Sequence, residues 1–156
     1  MDREQNRDRG QGGRSALQVI AEYVAALASQ DSRRMDALRS PGFVMDTVQG
    51  DAFQDDPLSA KETEAFWPVW FAAFPEMDLE VTRTIAAPEV VVTQWVFTGI
   101  HAGPLNPPVF GRHIAPTGRT VRFRGVSIYD VHEGLIQRET MYIDLATIMV
   151  ELGVMS

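Results

Sequence analysis

The sequence has no cysteine among its 156 residues. That excludes disulfide frameworks, thiolate zinc sites, iron–sulfur clusters and cysteine nucleophiles. Lysine is nearly absent too: of the 14 basic residues only Lys61 is not arginine. We read the arginine excess as a GC-rich coding habit, not as a binding face. Against 21 acidic residues the basic ones leave a formal net charge of −7. A nucleic-acid binder needs a basic footprint to displace phosphate counterions, so that class is excluded. No apolar run approaches the roughly 18–20 residues of a membrane span. The first residues are charged and show no apolar stretch of the secretory type. The expectation is a cytoplasmic protein with neither nucleic acid nor membrane as partner.

What is present is an ordinary globular balance, 45% hydrophobic and 22% charged, on a chain about one domain long. Residues 1–14 hold one apolar residue and three glycines, so they predict a disordered tail, with one domain over 15–156. From Ser15 apolar residues recur at helical spacing (Ala16, Leu17, Val19, Ile20, Tyr23, Val24, Leu27), with Ser15 as N-cap. A second short helix fits 31–39, stopped by Pro41-Gly42, and 43–48 reads as a strand. An acidic loop with Asp51, Asp55 and Asp56 follows. Ser59-Ala60-Lys61-Glu62 is a capping box opening a third helix that carries Phe66, Trp67, Trp70, Phe71 and Phe74. Pro68 is a point where that helix could kink, and Pro75 marks its end.

The period then changes. Residues 77–86 alternate apolar and polar, and 90–100 are β-branched and aromatic on both faces, as in a doubly covered strand. The stretch 102–118 holds four prolines and three glycines and reads as a long loop. Residues 121–131 and 135–143 form strands joined at His132-Glu133-Gly134, and 145–154 end the chain as a short helix or tail. The fold class is α+β: a conical, curved antiparallel sheet packed against three helices, with an internal pocket.

Three segments fit that frame: Ala72-Ala73-Phe74-Pro75-Glu76-Met77-Asp78-Leu79-Glu80-Val81; Trp95-Val96-Phe97-Thr98-Gly99-Ile100-His101-Ala102-Gly103; and Pro116-Thr117-Gly118-Arg119 through Gly125 and Ile128 to Tyr142-Ile143-Asp144-Leu145. In order and on matching elements, over about residues 15–153, they resemble the SnoaL-like polyketide cyclase family. That family belongs to the superfamily of ketosteroid isomerases and nuclear transport factor 2, built as conical α+β barrels. The resemblance implies an enzyme without metal or organic cofactor. Its buried carboxylate would move a proton next to a carbonyl while the cavity folds a hydrophobic polyketide-like substrate for ring closure. It also implies a homodimer paired through the open sheet face. As alternatives the resemblance leaves an epoxide hydrolase and a non-catalytic module that binds a small ligand or dimerises.

The catalytic Asp of the family's cyclases falls at Met141, three residues before Asp144, and the polar partners on the neighbouring strand fall at Gly125 and Ser127. Other residues must then carry any acid–base chemistry. Asp46 lies about where ketosteroid isomerases of this superfamily place their base, with a turn-capping role as the alternative. Glu139 shares a strand face with Met141 and Ile143; a carboxyl pointing into an apolar cone has a raised pKa. It could instead pair with Arg138 or Arg124. His101 could donate to a substrate oxygen or cap the loop that follows. Tyr23 could offer its phenol to a carbonyl or sit in the core. His113 belongs to the proline-rich loop, and its spacing from His101 does not suit a metal pair. Trp67, Trp70, Phe71, Trp95 and Phe123 would line the pocket with Ser127 and Met141, suiting a flat aromatic ligand.

Overall fold

The computed structural model describes residues 13–48 and 56–155. The predicted tail therefore lies almost wholly outside the described residues, as do Asp51 and Asp55 of the acidic loop. The elements are α1 (Ala16–Ala28), α2 (Ser32–Leu38), β1 (Arg39–Val48), β2 (Leu58–Ser59), α3 (Ala60–Ala73), β3 (Met77–Ala86), β4 (Val90–Ile100), β5 (Thr120–His132), β6 (Leu135–Ile143) and α4 (Leu145–Glu151).

Local chemistry explains most boundaries. Ser15 and Ser59 each accept from the backbone N–H three residues on, and Gln18 and Glu62 reach back to the cap N–H, closing two capping boxes. Helix α3 runs through Pro68 without interruption. Glu133 and Gly134 both have positive φ, 50° and 77°, as a two-residue hairpin loop between His132 and Leu135 requires. The end of α2 differs from the sequence expectation. Arg39 is already extended, and β1 begins there rather than at Phe43. Proline biases the residue before it away from helix and cannot donate to the ladder, so Pro41 falls within a register shift between Arg39 and Val44.

The six strands form one curved, unclosed sheet in the order β2-β1-β6-β5-β4-β3. Two expectations need correction. The sheet is mixed, because β1 runs parallel to β6. No hairpin joins those strands, so nothing local sets their relative direction. A fourth helix, α4, follows β6; Asp144 caps it by accepting from the Thr147 N–H, and Ile148 and Leu152 anchor it in the core.

Register decides which side chains meet. Thr93 lies opposite Ser127, and Ser127 opposite Met141; Tyr129 lies opposite Glu139, and Glu139 opposite Met45. These residues are buried on the inner face, toward the helices. Gln94, Arg124 and Tyr142 alternate with them and stay exposed on the outer face. The inner face and the helices enclose the core.

Candidate active site

Between the inner sheet face and α3 lies a cavity of about 360 Å³. This is near the lower end for small-molecule sites, about 300–1,000 Å³. Its wall is largely aromatic: Phe66, Trp67 and Trp70 from α3, Trp95 and Phe97 from β4, and Phe123 and Tyr129 from β5. The rings lock one another edge-on or tilted. Trp70 meets Phe97 at 5.1 Å between centroids, Phe97 meets Phe123 at 5.1 Å, and Trp95 meets Phe123 at 5.7 Å. Val109 and Phe110 of the proline-rich loop complete the wall. That loop is tied to α3 by the Ala102 and Gly103 N–H groups, both donating to the Ala73 carbonyl. A Cβ on Gly103 would stand 2.1 Å from the Ala72 carbonyl oxygen, so only glycine permits the approach.

One carboxylate in this wall is fully buried. Glu139 is 1% exposed and lines the cavity beside Met141. Its Oε2 accepts from the Ser127 hydroxyl at 3.1 Å, and Ser127 Oγ accepts from the Trp95 indole N–H at 3.1 Å. Because an indole nitrogen can only donate, this contact commits the serine proton to the carboxylate. Gly125 makes the chain of bonds possible: a Cβ there would stand 2.3 Å from the Trp95 ring, so the indole sits in the space the glycine leaves. Among the described residues Glu139 Oε1 makes no hydrogen bond. Burial raises the carboxyl from its ordinary 4.5 to about 7, against the opposing pull of the Ser127 hydrogen bond, the Arg39 charge and the nearby Tyr129 hydroxyl.

Behind the wall lies a second buried network. Arg39, 7% exposed, donates to the Tyr23 hydroxyl at 3.0 Å, pairs with Asp36, and stacks 5.4 Å over the Phe43 ring. The Tyr23 ring meets Tyr129 edge-on at 5.8 Å. Burial, and next the Glu139 charge, push both phenols above their ordinary range, so both stay protonated.

The structure brings together Glu139, Ser127, Met141, Trp67, Trp70, Trp95 and Phe123 at the cavity. Three expected site residues do not line it. Tyr23 lies behind Tyr129, held by Arg39. Phe71 lies behind Trp67, its ring stacked at 5.9 Å. His101 is buried under the proline-rich loop, where its Nδ1 accepts from the Thr117 N–H at 3.1 Å and its backbone bonds Arg119 and Gly118. Burial lowers its pKa, keeping it neutral. Asp46 touches the cavity, but β1 alternation puts it opposite in sense to Met45, and Arg138 holds its carboxylate at 2.8 Å. Sequence reasoning missed Arg39, Tyr129, Thr47 and Thr93. Strand alternation with Ser127 and Phe123 carried the signal for Tyr129; Arg39, at a helix end, had none. Among the described residues no three acidic or histidine side chains group as a metal site, and no helix is long and apolar enough to cross a membrane.

This geometry defines a class, an α+β fold whose curved sheet and helices enclose a site for a small molecule. Within it the chain belongs to the SnoaL-like polyketide cyclase family, whose model matches residues 17–152. No curated protein sequence matches it significantly. Among solved structures it is similar to AclR of Streptomyces galilaeus, a candidate hydroxylase (22% identity, TM-score 0.73, covering 88% of this chain and 95% of that one). It is also similar to IdmH of Streptomyces antibioticus, a candidate polyketide cyclase (24%, 0.68, 86% and 96%). An epoxide hydrolase of M. tuberculosis, described as LEH-like, shares the fold at 15% identity (TM-score 0.62, 87% of each chain).

Proposed function

We propose that this protein is a cofactor-independent enzyme of the cyclase or isomerase type, acting on a hydrophobic, polyketide-like molecule. The observation that carries the reading is Glu139: a carboxylate fully buried in the cavity wall, one oxygen held by Ser127, the Tyr129 hydroxyl nearby, and Oε1 without a hydrogen bond among the described residues. With a pKa of about 7 it is divided between its two forms at neutral pH, as a general base requires. Ionised Glu139 takes a proton from a carbon beside a substrate carbonyl, leaving an enolate. In an isomerisation the protonated carboxyl returns that proton at another carbon. In a ring closure the enolate carbon bonds to a second carbonyl of the same folded molecule, and the carboxyl protonates the resulting alkoxide. The cavity contributes by confining the chain near the reactive geometry, and the positioned acid–base group adds roughly 10²–10⁴-fold.

Glu139 takes the base role in this reading. Asp46, held by Arg138, is the secondary candidate, and Tyr23 and His101 act only on the framework. The protein works as a cytoplasmic homodimer in this reading. Exposed Ile85, Ile100 and Tyr142 support pairing, and light scattering coupled to size exclusion tests it. Met141, where cyclases of the family carry Asp, favours a second reading as a non-catalytic binding module.

The test is incubation of wild type and Glu139→Gln with a panel of aromatic polyketones bearing an acidic C–H, followed by mass spectrometry. Turnover that falls at least a hundredfold in the variant, with binding kept, supports the base. Binding without conversion by wild type assigns the module. A parallel incubation with an apolar epoxide that yields the diol, while no polyketone is turned over, assigns an epoxide hydrolase.

A further inference from the structure

Six buried side-chain polar atoms lack a protein partner among the described residues: Ser40 Oγ, Thr47 Oγ1, Trp67 Nε1, Thr93 Oγ1, His101 Nε2 and Glu139 Oε1. Four of the six residues, Thr47, Trp67, Thr93 and Glu139, line the one cavity, each from a different element. Buried polar groups are nearly always satisfied, so a concentration of orphans at one wall marks a place where a ligand supplies the partners. The two indoles that share this wall make the contrast plain. Trp95 spends its N–H on Ser127, whereas the Trp67 N–H makes no hydrogen bond among the described residues. Phe71 stacks behind Trp67, with 30° between the rings, and Phe66 meets it edge-on at 5.1 Å, so the indole plane is fixed by packing.

We infer that Trp67 Nε1 forms a polar subsite that binds a carbonyl oxygen of the ligand and fixes its orientation relative to Glu139. An indole N–H can only donate, so it favours an acceptor oxygen such as a carbonyl over a C–H. Thr47 and Thr93 stand in one row across the sheet with Met141 and Ser127 between them, so their hydroxyls serve other points on the ligand. A cavity of about 360 Å³ filled at the usual density of about 0.74 takes a van der Waals volume of roughly 270 Å³, so a flat three-ring ketone fits. The carbonyl requirement makes Trp67 a specificity residue. When proton removal beside that carbonyl places charge on its oxygen, the same N–H binds it more strongly. The subsite rests on the proposed reading of the cavity as a ligand site.

The probes are 9-fluorenone and fluorene, alike in shape and differing by a carbonyl in place of a methylene. Calorimetry with wild type and Trp67→Phe gives affinities, and nitrogen–proton spectra of wild type follow the three tryptophan side chains. Wild type is expected to prefer the ketone by about tenfold, the worth of one well-made hydrogen bond. Trp67→Phe abolishes the preference, so that both probes bind it alike, whatever affinity the smaller ring costs them in common. In wild type the Trp67 N–H resonance moves on adding fluorenone and not on adding fluorene, an outcome that does not depend on any variant folding. If both probes bind and Trp67→Phe keeps the full preference, or the Trp67 resonance stays still with fluorenone, the subsite is overturned and the cavity reading stands. If neither probe binds wild type, the cavity reading falls and takes the subsite with it.

Discussion

Replacing Glu139 by glutamine should change the way stability depends on pH, by an amount the structure sets. Burial holds the carboxyl at about 7 in the folded chain, against an ordinary 4.5. Below pH 4.5 the group is protonated whether the chain is folded or not, and its titration costs nothing. Between 4.5 and about 7 the unfolded chain has lost a proton that the folded chain keeps, so stability falls as pH rises. Above about 7 the group is ionised in both states and the cost is complete. At about 1.36 kcal/mol per pH unit, that interval amounts to about 3 kcal/mol. Glutamine fills nearly the same volume and cannot titrate. The assay is urea unfolding of both proteins, followed by tryptophan fluorescence from about pH 4 to pH 8. Stability of the variant minus that of wild type should climb by about 3 kcal/mol across the window and level off above it. The buried His101 and exposed His132 titrate alike in both proteins and drop out of the difference. A constant change in hydrogen bonding displaces the whole curve without tilting it. A flat difference would show that Glu139 titrates like a solvated carboxyl, and the proposed base would lose its physical ground.

Three further outcomes follow from neighbouring contacts. Ser127→Ala removes the hydroxyl that favours the charged form of Glu139, so its ionisation midpoint should move upward, as read from carbon chemical shifts of the labelled carboxyl. Gly125→Ala drives a methyl group to 2.3 Å from the Trp95 ring and 2.7 Å from the Tyr142 carbonyl oxygen; a loss of about 1–3 kcal/mol in denaturant unfolding is expected, with a changed Trp95 environment. Asp46→Asn loosens a part-exposed ion pair with Arg138, costs less than about 1 kcal/mol, and should lower turnover far less than Glu139→Gln. An equal loss of turnover in the two variants would shift the base toward Asp46.

Much of the architecture is readable from residue order alone, because its signals are local. The N-cap at Ser15, the capping box at Ser59, the turn at His132-Glu133-Gly134 and alternation along β5 and β6 act within a few residues, and the structure has them where the pattern puts them. Alternation also put Glu139 with Met141, and Ser127 with Phe123, on shared faces before any contact was known. The two-residue strand β2, the parallel direction of β1 against β6 and the early start of β1 were not readable, since each depends on a partner far along the chain.

For the site, the sequence by itself determined the side-chain supply: a greasy α3, two strands that carry a carboxylate and a hydroxyl on faces shared with apolar residues, and no thiol chemistry. Only the tertiary structure decided which of these groups meet. It set Trp95 into the gap at Gly125 so that its N–H orders Ser127 against Glu139. It left the Trp67 N–H without a hydrogen bond among the described residues, and it moved His101, Tyr23 and Phe71 behind the wall. The physical reason is one of range. Hydrogen-bonded turns and strand faces are fixed by neighbours a few positions away, whereas desolvation and polar pairing depend on the whole set of atoms that the fold packs around a group.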